Sequence, residues 1–399
     1  MNPAANLLLI NILAASTFLT ANALLQLQPA RGAADARCKP HEREALLAFK
    51  RGITSDPMDI LASWQKDGQG DCCRWRGVRC SNRTGHVLKF KLSNTGLVGQ
   101  ISHSLLSLDH LVHLDLSMND LIGSSGHIPE FLGSLANLRY LNLSGIPLSG
   151  RVPPHLGNLS KLQYLDLSQG QSLYSTDISW LAGLPLLEYL SMSMVNLSTI
   201  VDWADVVNMI PSLKVLSLSF CSLITANQSL PHLNLTNLQR LDLSFNYFDH
   251  PIASSWLWNL TSLQYFNLAY NDLHGQVPDA LGDMTSLNVI DFSLNLNMGM
   301  TTSLKKLCNL TILYLGACNL NENIKELIGL MPQCPLNKLQ ELHLGHNNII
   351  GIMPSQMAHL TSLVVLDISE NHLSGVMLGT TCSLEIFQLA SQILPTFII

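Results

Sequence analysis

The sequence predicts an α/β solenoid, a stack of about twelve similar coils that each add one short strand to a parallel sheet. The pattern L-x-x-L-x-L recurs along the chain, an Asn follows many copies at a fixed offset, and the copies lie 23 to 29 residues apart. The second Leu of the pattern, here called the marker, falls at Phe90, Leu114, Leu141, Leu165, Leu190, Leu216, Leu241, Phe266, Ile290, Leu313, Leu342 and Leu366. A repeat at this spacing is typical of solenoids.

The strand of each coil follows from the L-x-L part of the pattern. Its two apolar side chains point inward while the flanking side chains point outward. One such strand cannot bury its apolar row alone, but stacked coils form a continuous core with the strands along a concave face. We therefore expect twelve marker residues to lie side by side inside the molecule.

The Asn at a fixed offset after the marker predicts a turn that is held by its side-chain amide. The amide can bond backbone groups that would otherwise be buried unpaired. This position holds Asn119, Asn246, Asn271, Asn295, Asn347 and Asn371. Cys221 and Cys318 occupy the same position and are expected to be small buried residues, whereas Ile146, Gly170 and Val195 predict local irregularity.

Several coils continue into a G-x-I-P-like segment. It reads Gly150-Arg151-Val152-Pro153, Gly275-Gln276-Val277-Pro278, Gly351-Ile352-Met353-Pro354 and, more loosely, His127-Ile128-Pro129. With it the sequence resembles the plant extracellular leucine-rich repeat over residues 38–376. The resemblance implies a right-handed superhelix with a parallel β-sheet on the concave face, and an additional short strand at each such segment. Coils four to seven, nine and ten lack the segment, so these additional strands are expected to be patchy.

The first 34 residues predict a secretory signal peptide. No charged residue stands between Met1 and Arg31, and an apolar run leads to Ala21-Asn22-Ala23, which fits an A-x-A cleavage site. Cleavage there would give the alternative boundary 1–23. No Lys or Arg precedes the apolar run, so an uncleaved N-terminal anchor is the competing interpretation.

Residues 35–84 predict an N-terminal cap. The first coil of a solenoid exposes its core and needs a cover. Ala45, Leu46 and Phe49 form an apolar stripe at helical spacing, and Trp64 and Trp75 are large enough to cover the open end. The segment resembles the plant-type cap with its E-R-x-A-L-L-x-F-K helix and C-x-W-x-G-V-x-C turn.

Cysteines support this cap. Spacing alone permits three connectivities for Cys38, Cys72, Cys73 and Cys80. The resemblance implies a disulfide-bonded cap with the pairs Cys38–Cys72 and Cys73–Cys80. Zinc binding is the competing interpretation, but matched C-x-x-C pairs are missing, so no metal and no cofactor are expected. A disulfide between Cys308 and Cys334 would staple the coil with the longest interval, 29 residues, but the sequence does not decide this pairing.

Composition and sequons favour an exported protein. The formal net charge is −6 and charged residues are 13% of the chain, whereas a nucleic-acid binder would show a basic face. After residue 45 no apolar run reaches the ~20 residues of a membrane span, and kinase motifs are missing.

Expected glycosylation sites are Asn82, Asn158, Asn196, Asn227, Asn234, Asn259 and Asn309. Asn142 is also in a sequon, but a glycan there would cover part of the inner surface.

No catalytic site is expected. The histidine pairs His110-x-x-His113 and His343-x-x-His346 come without H-E-x-x-H, G-x-S-x-G or a carboxylate pair. Scattered surface histidines account for them better than an active site does.

Outward positions of the strands predict a binding surface. Tyr140, Tyr164, Tyr189 and Tyr265 stand just before a marker, and Phe220, Phe245 and Tyr270 stand four residues after one. Parallel strands lie about 4.8 Å apart, so each set should form an aromatic column on the concave face, beside an acidic or amide row. The predicted ligand-contacting residues are Tyr140, Tyr164, Tyr189, Phe220, Arg240, Asp242, Phe245, Tyr265 and Tyr270. Exposed aromatic residues suit a protein or peptide interface, although Asp and Tyr here are also common fillings of the plant repeat.

The repeats are assigned to residues 85–376, and residues 377–399 predict a degenerate end without a cap. The whole resembles plant receptor-like proteins of the disease-resistance type, C-terminally truncated. Such proteins carry extracellular repeats and a single membrane span, lack a kinase, and signal through partner receptor kinases. The resemblance implies a secreted or cell-surface protein of the apoplast that binds a protein or peptide ligand in plant defence, with a receptor kinase as co-receptor. The alternatives are a secreted inhibitor of a microbial cell-wall-degrading enzyme and a non-functional receptor fragment.

Overall fold

A computed structural model describes residues 37–65, 71–170, 172–226, 230 and 232–374. The expected signal peptide, the expected degenerate end, Cys382 and the sequon residue Asn227 lie outside the described residues.

One long sheet runs through the described part of the chain and confirms the solenoid. Its thirteen strands, in spatial order, are Val78–Cys80, Val87–Lys91, His113–Asp115, Tyr140–Asn142, Tyr164–Asp166, Tyr189–Ser191, Val215–Ser217, Arg240–Asp242, Tyr265–Asn267, Val289–Asp291, Ile312–Tyr314, Glu341–His343 and Val365–Asp367. The first two strands pair antiparallel and the others pair parallel. Each marker lies opposite the next one, as Leu165 does opposite Leu190.

The markers form the core. All of them from Phe90 to Leu342 are fully buried, and Leu366 is half-buried. Because every coil repeats the same inward pattern, the sheet register follows directly from the period of the sequence.

Short outer strands lie beside this sheet and are patchy. They are Ile53–Ser55, Val98–Gln100, Asp120–Ile122, Ser149–Arg151, Ser172–Tyr174, Gly275–Gln276, Met298–Gly299, Ile350–Gly351 and His372–Leu373. Within the described residues coils five, six, seven and ten have none, as expected. The expectation was wrong for coils four and nine, where Ser172–Tyr174 and Met298–Gly299 pair with the preceding coil. Pairing needs only backbone N–H and C=O groups of the neighbouring coil, so the G-x-I-P segment is not required.

Helices occupy the remaining side of the coils. The α-helices are Pro40–Arg51, Trp203–Asn208 and Ile324–Leu330. The 3-10 helices are Ile60–Ser63, Cys72–Arg74, His103–Ser107, Ser124–Gly126, Glu130–Ser134, Pro154–Asn158, Ser179–Gly183, Ile252–Ser254, Trp256–Asn259, Asp279–Asp283, Thr302–Lys306 and Ser355–His359. Among the described residues, none of the helices has the length and apolar character that crossing a membrane requires.

The asparagines at the fixed offset bond buried backbone groups, as predicted. They also link neighbouring coils, and this set of bonds is here called the Asn ladder. Asn347 Nδ2 donates to the carbonyls of Leu315 and Leu344 at 2.8 and 2.9 Å, so it joins its own coil to the preceding one. Its Oδ1 accepts from the backbone N–H groups of Cys318 and Leu320 at 2.9 and 3.0 Å. Cys221 and Cys318 are buried and unpaired with another cysteine, as predicted.

The cap covers the first coil. The helix Pro40–Arg51 begins with Pro, whose fixed φ fits a first turn, and ends with Lys50 and Arg51, whose charges suit the negative C-terminal end of the helix dipole. Phe49 packs edge-on against the first marker, Phe90, with ring centroids 5.1 Å apart. Trp64 stacks on Trp75 at 5.2 Å, which closes the apolar end of the stack.

Three disulfides are present in the described residues: Cys38–Cys72, Cys73–Cys80 and Cys308–Cys334. The first two are the pairs that the resemblance implies. The third closes the longest coil, which also contains the helix Ile324–Leu330.

Candidate ligand-binding face

The concave sheet carries a continuous stack of rings, here called the tyrosine column: His113, Tyr140, Tyr164 and Tyr189. Tyr140 and Tyr189 lie on either side of Tyr164 with ring centroids 4.2 and 4.1 Å away. His113 stacks on Tyr140 at 4.0 Å. The predicted column is therefore confirmed as geometry for Tyr140, Tyr164 and Tyr189, and the parallel register extends it by one ring, whereas the prediction was wrong for Tyr265. His113 stands at the same place before its marker, but it was not among the aromatic residues predicted for this column.

Tyr265 lies apart from this column. In register, Val215 and then Arg240 separate it from Tyr189. The Arg240 guanidinium lies 3.4 Å from the centroid of the Tyr265 ring, a cation–π contact. Arg240 and Tyr265 therefore form a second, separate patch on the same face.

A second line of side chains, here called the apolar ridge, runs along one side of the sheet: Met194, Phe220, Phe245, Tyr270 and Leu294. Phe220, Phe245 and Tyr270 stack in order with centroids 4.1 and 4.9 Å apart, which confirms the second predicted column as geometry. Exposure is 51% for Met194 and Phe220, 52% for Tyr270 and 43% for Leu294. Met194 and Leu294 share the offset of four, but they are not aromatic and were not predicted as part of this column.

The ridge stands on left-handed backbone. In all twelve coils the residue four after the marker has φ between 51° and 69°. For a residue other than Gly this conformation costs roughly 1 kcal/mol or more. Phe220 and Tyr270 thus combine an unfavourable backbone with a large apolar surface left in water. Neither feature stabilises the free protein, which makes the ridge a candidate contact surface.

The acidic row between the two lines braces the turns. Asp242 is 3% exposed. Its Oδ1 accepts from the hydroxyl and backbone N–H of Ser244 at 2.7 and 3.1 Å. Asp115, Asp166, Asp291 and Asp367 make the same pair of bonds to the serine two residues on. Each carboxylate holds the chain just before the left-handed residue. Asp242 therefore has a structural role in the free protein, whether or not it contacts a ligand.

Burial keeps the rings of the tyrosine column uncharged. It raises the pKa of Tyr140 to about 12, and it raises the pKa values of Tyr164 and Tyr189 well above the ordinary value. Burial and the nearby Lys89 lower the pKa of His113 to about 4. Near neutral pH the column therefore offers stacked apolar faces with hydroxyl groups at their edges.

The buried carboxyl group of Asp291 should make the stability of the protein depend on pH. Burial, reinforced by Asp242, raises its pKa from 3.8 to about 6. Between these values the folded state binds more protons than the unfolded state, so the free energy of unfolding falls as pH rises from about 4 to about 6. We expect Asp291→Asn to remove this loss, up to about 3 kcal/mol at about 1.4 kcal/mol per pKa unit. Urea unfolding of both proteins at pH 4 and pH 7 measures it.

The neighbouring coil shows that Asn fits this position. Asn267 stands opposite Asp291 in the register, and its Oδ1 accepts from the backbone N–H of Ala269 at 2.9 Å. An unchanged pH slope in the Asp291→Asn protein would contradict the assignment.

The expected glycosylation sites within the described residues lie outside the strands of the concave sheet. Asn82, Asn158, Asn196, Asn234, Asn259 and Asn309 are exposed. Asn142 is half-buried in the acidic and amide row, and its amide lies 3.4 Å from the Tyr140 hydroxyl. A glycan on Asn142 would stand on the tyrosine column, whereas the other described sequons leave the column clear.

Family models match five segments of the chain. The Leucine rich repeat N-terminal domain matches residues 39–81. Leucine rich repeat models match residues 104–128, 137–159, 211–273 and 335–385. The matches cover the predicted cap and repeats from both halves of the array.

Two relatives come from Solanum lycopersicum. Receptor-like protein EIX1 is 32% identical over 279 residues, which is 65% of this chain and 27% of that protein. Receptor-like protein EIX2 is 30% identical over 355 residues, 85% of this chain and 34% of that protein. The chain thus spans about a third of the length of these relatives.

Solved structures with the same fold include a plant receptor kinase and PEPR1. The Arabidopsis receptor kinase HAESA, in complex with the peptide hormone IDA and the co-receptor SERK1, has a TM-score of 0.66 and 26% identity over 84% of this chain and 63% of that chain. PEPR1 in the PEPR1–AtPEP1 structure has a TM-score of 0.61 and 27% identity over 84% and 49%. The chain is therefore a leucine-rich-repeat protein with an N-terminal cap domain of that class, and its homologues are plant receptor-like proteins.

Proposed function

We propose that the concave face binds an extended peptide, or an extended segment of a protein, outside the cell. The tyrosine column and the apolar ridge form the contact surface. The exposed ridge carries this proposal, because five consecutive coils present large apolar side chains on backbone that disfavours them. A bound chain would cover this surface and gain the burial that the free protein lacks.

The two lines set the length of the bound segment. The column runs over coils two to five, and the ridge runs over coils five to nine. At about 4.8 Å per strand, the line from His113 to Leu294 is about 34 Å long. An extended chain spans about 3.4 Å per residue, so about ten residues would fill it. Apolar and aromatic side chains of such a ligand would pack on the stacked rings.

The relatives and the neighbouring structures support the biological side of the proposal. The relatives are receptor-like proteins, and HAESA was solved with a peptide hormone and a co-receptor. We place this chain in plant defence perception at the cell surface or in the apoplast, acting with a receptor kinase as co-receptor. Exposed sequons on other faces agree with an extracellular location.

A displayed library of random 12-residue peptides tests the surface. The library is selected on the immobilised glycosylated chain, and the dissociation constants of the recovered peptides are measured against variants. We expect Tyr164→Ala/Tyr189→Ala and Phe220→Gly/Phe245→Gly each to weaken binding at least tenfold. The Gly variant should remain folded, because Gly takes the left-handed conformation without the steric strain that Phe has there, which offsets part of the lost ring stacking.

Tyr174→Ala is the matched control. Tyr174 is 43% exposed and belongs to the same coil as Tyr164, but it lies on an outer strand. Its loss should leave binding unchanged. Recovered peptides that tolerate both concave variants and depend on Tyr174 would refute the assignment of the concave face.

A further inference from the structure

Three side chains from separate parts of the chain meet where the cap joins the array. Glu42 lies on the cap helix, His86 immediately precedes the strand Val87–Lys91, and His110 precedes the strand His113–Asp115. One ligand atom of each, a carboxylate oxygen and two ring nitrogens, lie within 4.8 Å of one another. Neither the binding face nor the disulfides of the cap involve these residues.

The carboxylate of this cluster is fixed in place. Glu42 is fully buried, and its Oε2 accepts from the backbone N–H of Val87 at 2.8 Å. Its Oε1 lies 3.0 Å from His86 Nδ1. A buried carboxylate that is held by a backbone donor has the orienting support that metal ligands require.

The two histidines open the cluster to solvent. The His86 and His110 rings are stacked with centroids 3.7 Å apart. The His86 side chain is 21% exposed, and His110 is exposed. An ion therefore has a path from solvent to the buried carboxylate along the edges of two parallel rings.

We propose that Glu42, His86 and His110 form a binding site for a divalent transition-metal ion, Zn²⁺ or Cu²⁺. Two imidazoles and one carboxylate suit these ions, whereas Mg²⁺ and Ca²⁺ prefer oxygen ligands throughout. Metal–ligand bonds of about 2.0–2.2 Å require donor atoms about 3–4 Å apart. The exposed His110 ring has room to rotate out of the stack and direct a ring nitrogen at the ion. Water completes the coordination.

The site would clamp the cap onto the array. Its ligands come from the cap helix, from the residue before the first strand of the array and from the loop before the second strand, and Glu42 and His86 are 44 residues apart. The donors are brought together only by folding, so the ion binds the folded state in preference and stabilises it. This inference does not depend on the proposed peptide ligand.

Titration of the full secreted chain with ZnCl₂ tests the site after treatment with a chelator. We expect the parent protein to bind one more tight equivalent than His110→Gln, with the affinity of that site lowered at least tenfold in the variant. Thermal unfolding midpoints should rise with ZnCl₂ in the parent and much less in His110→Gln, and MgCl₂ should have no such effect. His110 is exposed, so its replacement leaves the folded core intact.

His343→Gln is the matched control. His343 lies 3.2 Å from a carboxylate oxygen of Glu341 and stacks on Tyr314, but among the described residues this pair is not joined by a third side chain that could bind a metal. Its loss should leave the tight equivalent in place. Copper paramagnetic resonance gives a second readout, with nitrogen couplings from two imidazoles in the parent and one in His110→Gln. Equal zinc stoichiometry and affinity in the parent and His110→Gln would overturn the proposal. A rise of the parent's unfolding midpoint with MgCl₂ equal to its rise with ZnCl₂ would also overturn it.

Discussion

Asn347→Ala will destabilise the protein by about 4 kcal/mol or more, whereas Asn348→Ala will change its stability by less than about 0.5 kcal/mol. Asn347 is buried and holds five backbone groups of two coils, while its neighbour Asn348 is exposed. Removing the buried amide takes away its hydrogen bonds to the N–H groups of Cys318 and Leu320 and to the carbonyl of Leu315. Each such buried group costs about 1–3 kcal/mol.

Urea unfolding and amide hydrogen exchange measure the two variants. Exchange should accelerate most at Cys318 and Leu320, because a solenoid opens locally around a damaged coil. Asn348 provides the matched control, since it is the same residue type at the next position and its side-chain amide donates to the side chain of Asn319 and not to a backbone carbonyl. Equal losses of stability in the two variants would refute the stabilising role of the Asn ladder.

Cys38→Ser/Cys72→Ser will destabilise the protein by about 4 kcal/mol and sharply lower the yield of secreted chain. The pair closes a loop with a sequence separation of 34, and Cys72 is fully buried. Loss of the bridge frees the cap helix, whose Phe49 covers the first marker, Phe90. An uncovered first coil exposes apolar core to water, which favours unfolding and aggregation.

Cys308→Ser/Cys334→Ser separates the two effects of the cap bridge. Its sequence separation of 26 gives nearly the same loop-closure entropy, also about 4 kcal/mol, but it lies inside the array and covers no end of the core. We therefore expect a similar shift in the unfolding midpoint and a smaller loss of secreted protein. Equal secretion of the two double variants would show that covering the first coil is not the reason for the cap bridge.

Sequence periodicity predicts most of this fold because the coils are in register. Tyr140, Tyr164 and Tyr189 occupy equivalent positions in consecutive coils, so their stacking follows from the spacing of parallel strands. The outer strands of coils four and nine could not be predicted, because backbone pairing leaves little trace in side chains. The left-handed backbone conformation of Phe245 could not be predicted either, because Gly or Asn is the residue that normally indicates it.

The histidine and glutamate cluster shows a different limit. Its ligands are 24 and 44 residues apart along the chain, a spacing that no local metal motif contains. Only the docking of the cap helix on the first two coils brings Glu42 close to His86 and His110. Sites assembled from distant segments depend on tertiary packing, and they become visible when the coils are placed side by side.

The left-handed position in every coil also bears on how such a surface changes over generations. Asn94, Gly145, Phe220, Leu294 and Glu370 share this position and nearly the same φ, although their side chains have little in common. The sheet and the Asn ladder do not use these side chains. A gene can therefore exchange residues at this position and alter the chemistry of the concave face, while the scaffold keeps its register. Diversification of ligand preference and conservation of architecture fall on different residues of the same coil.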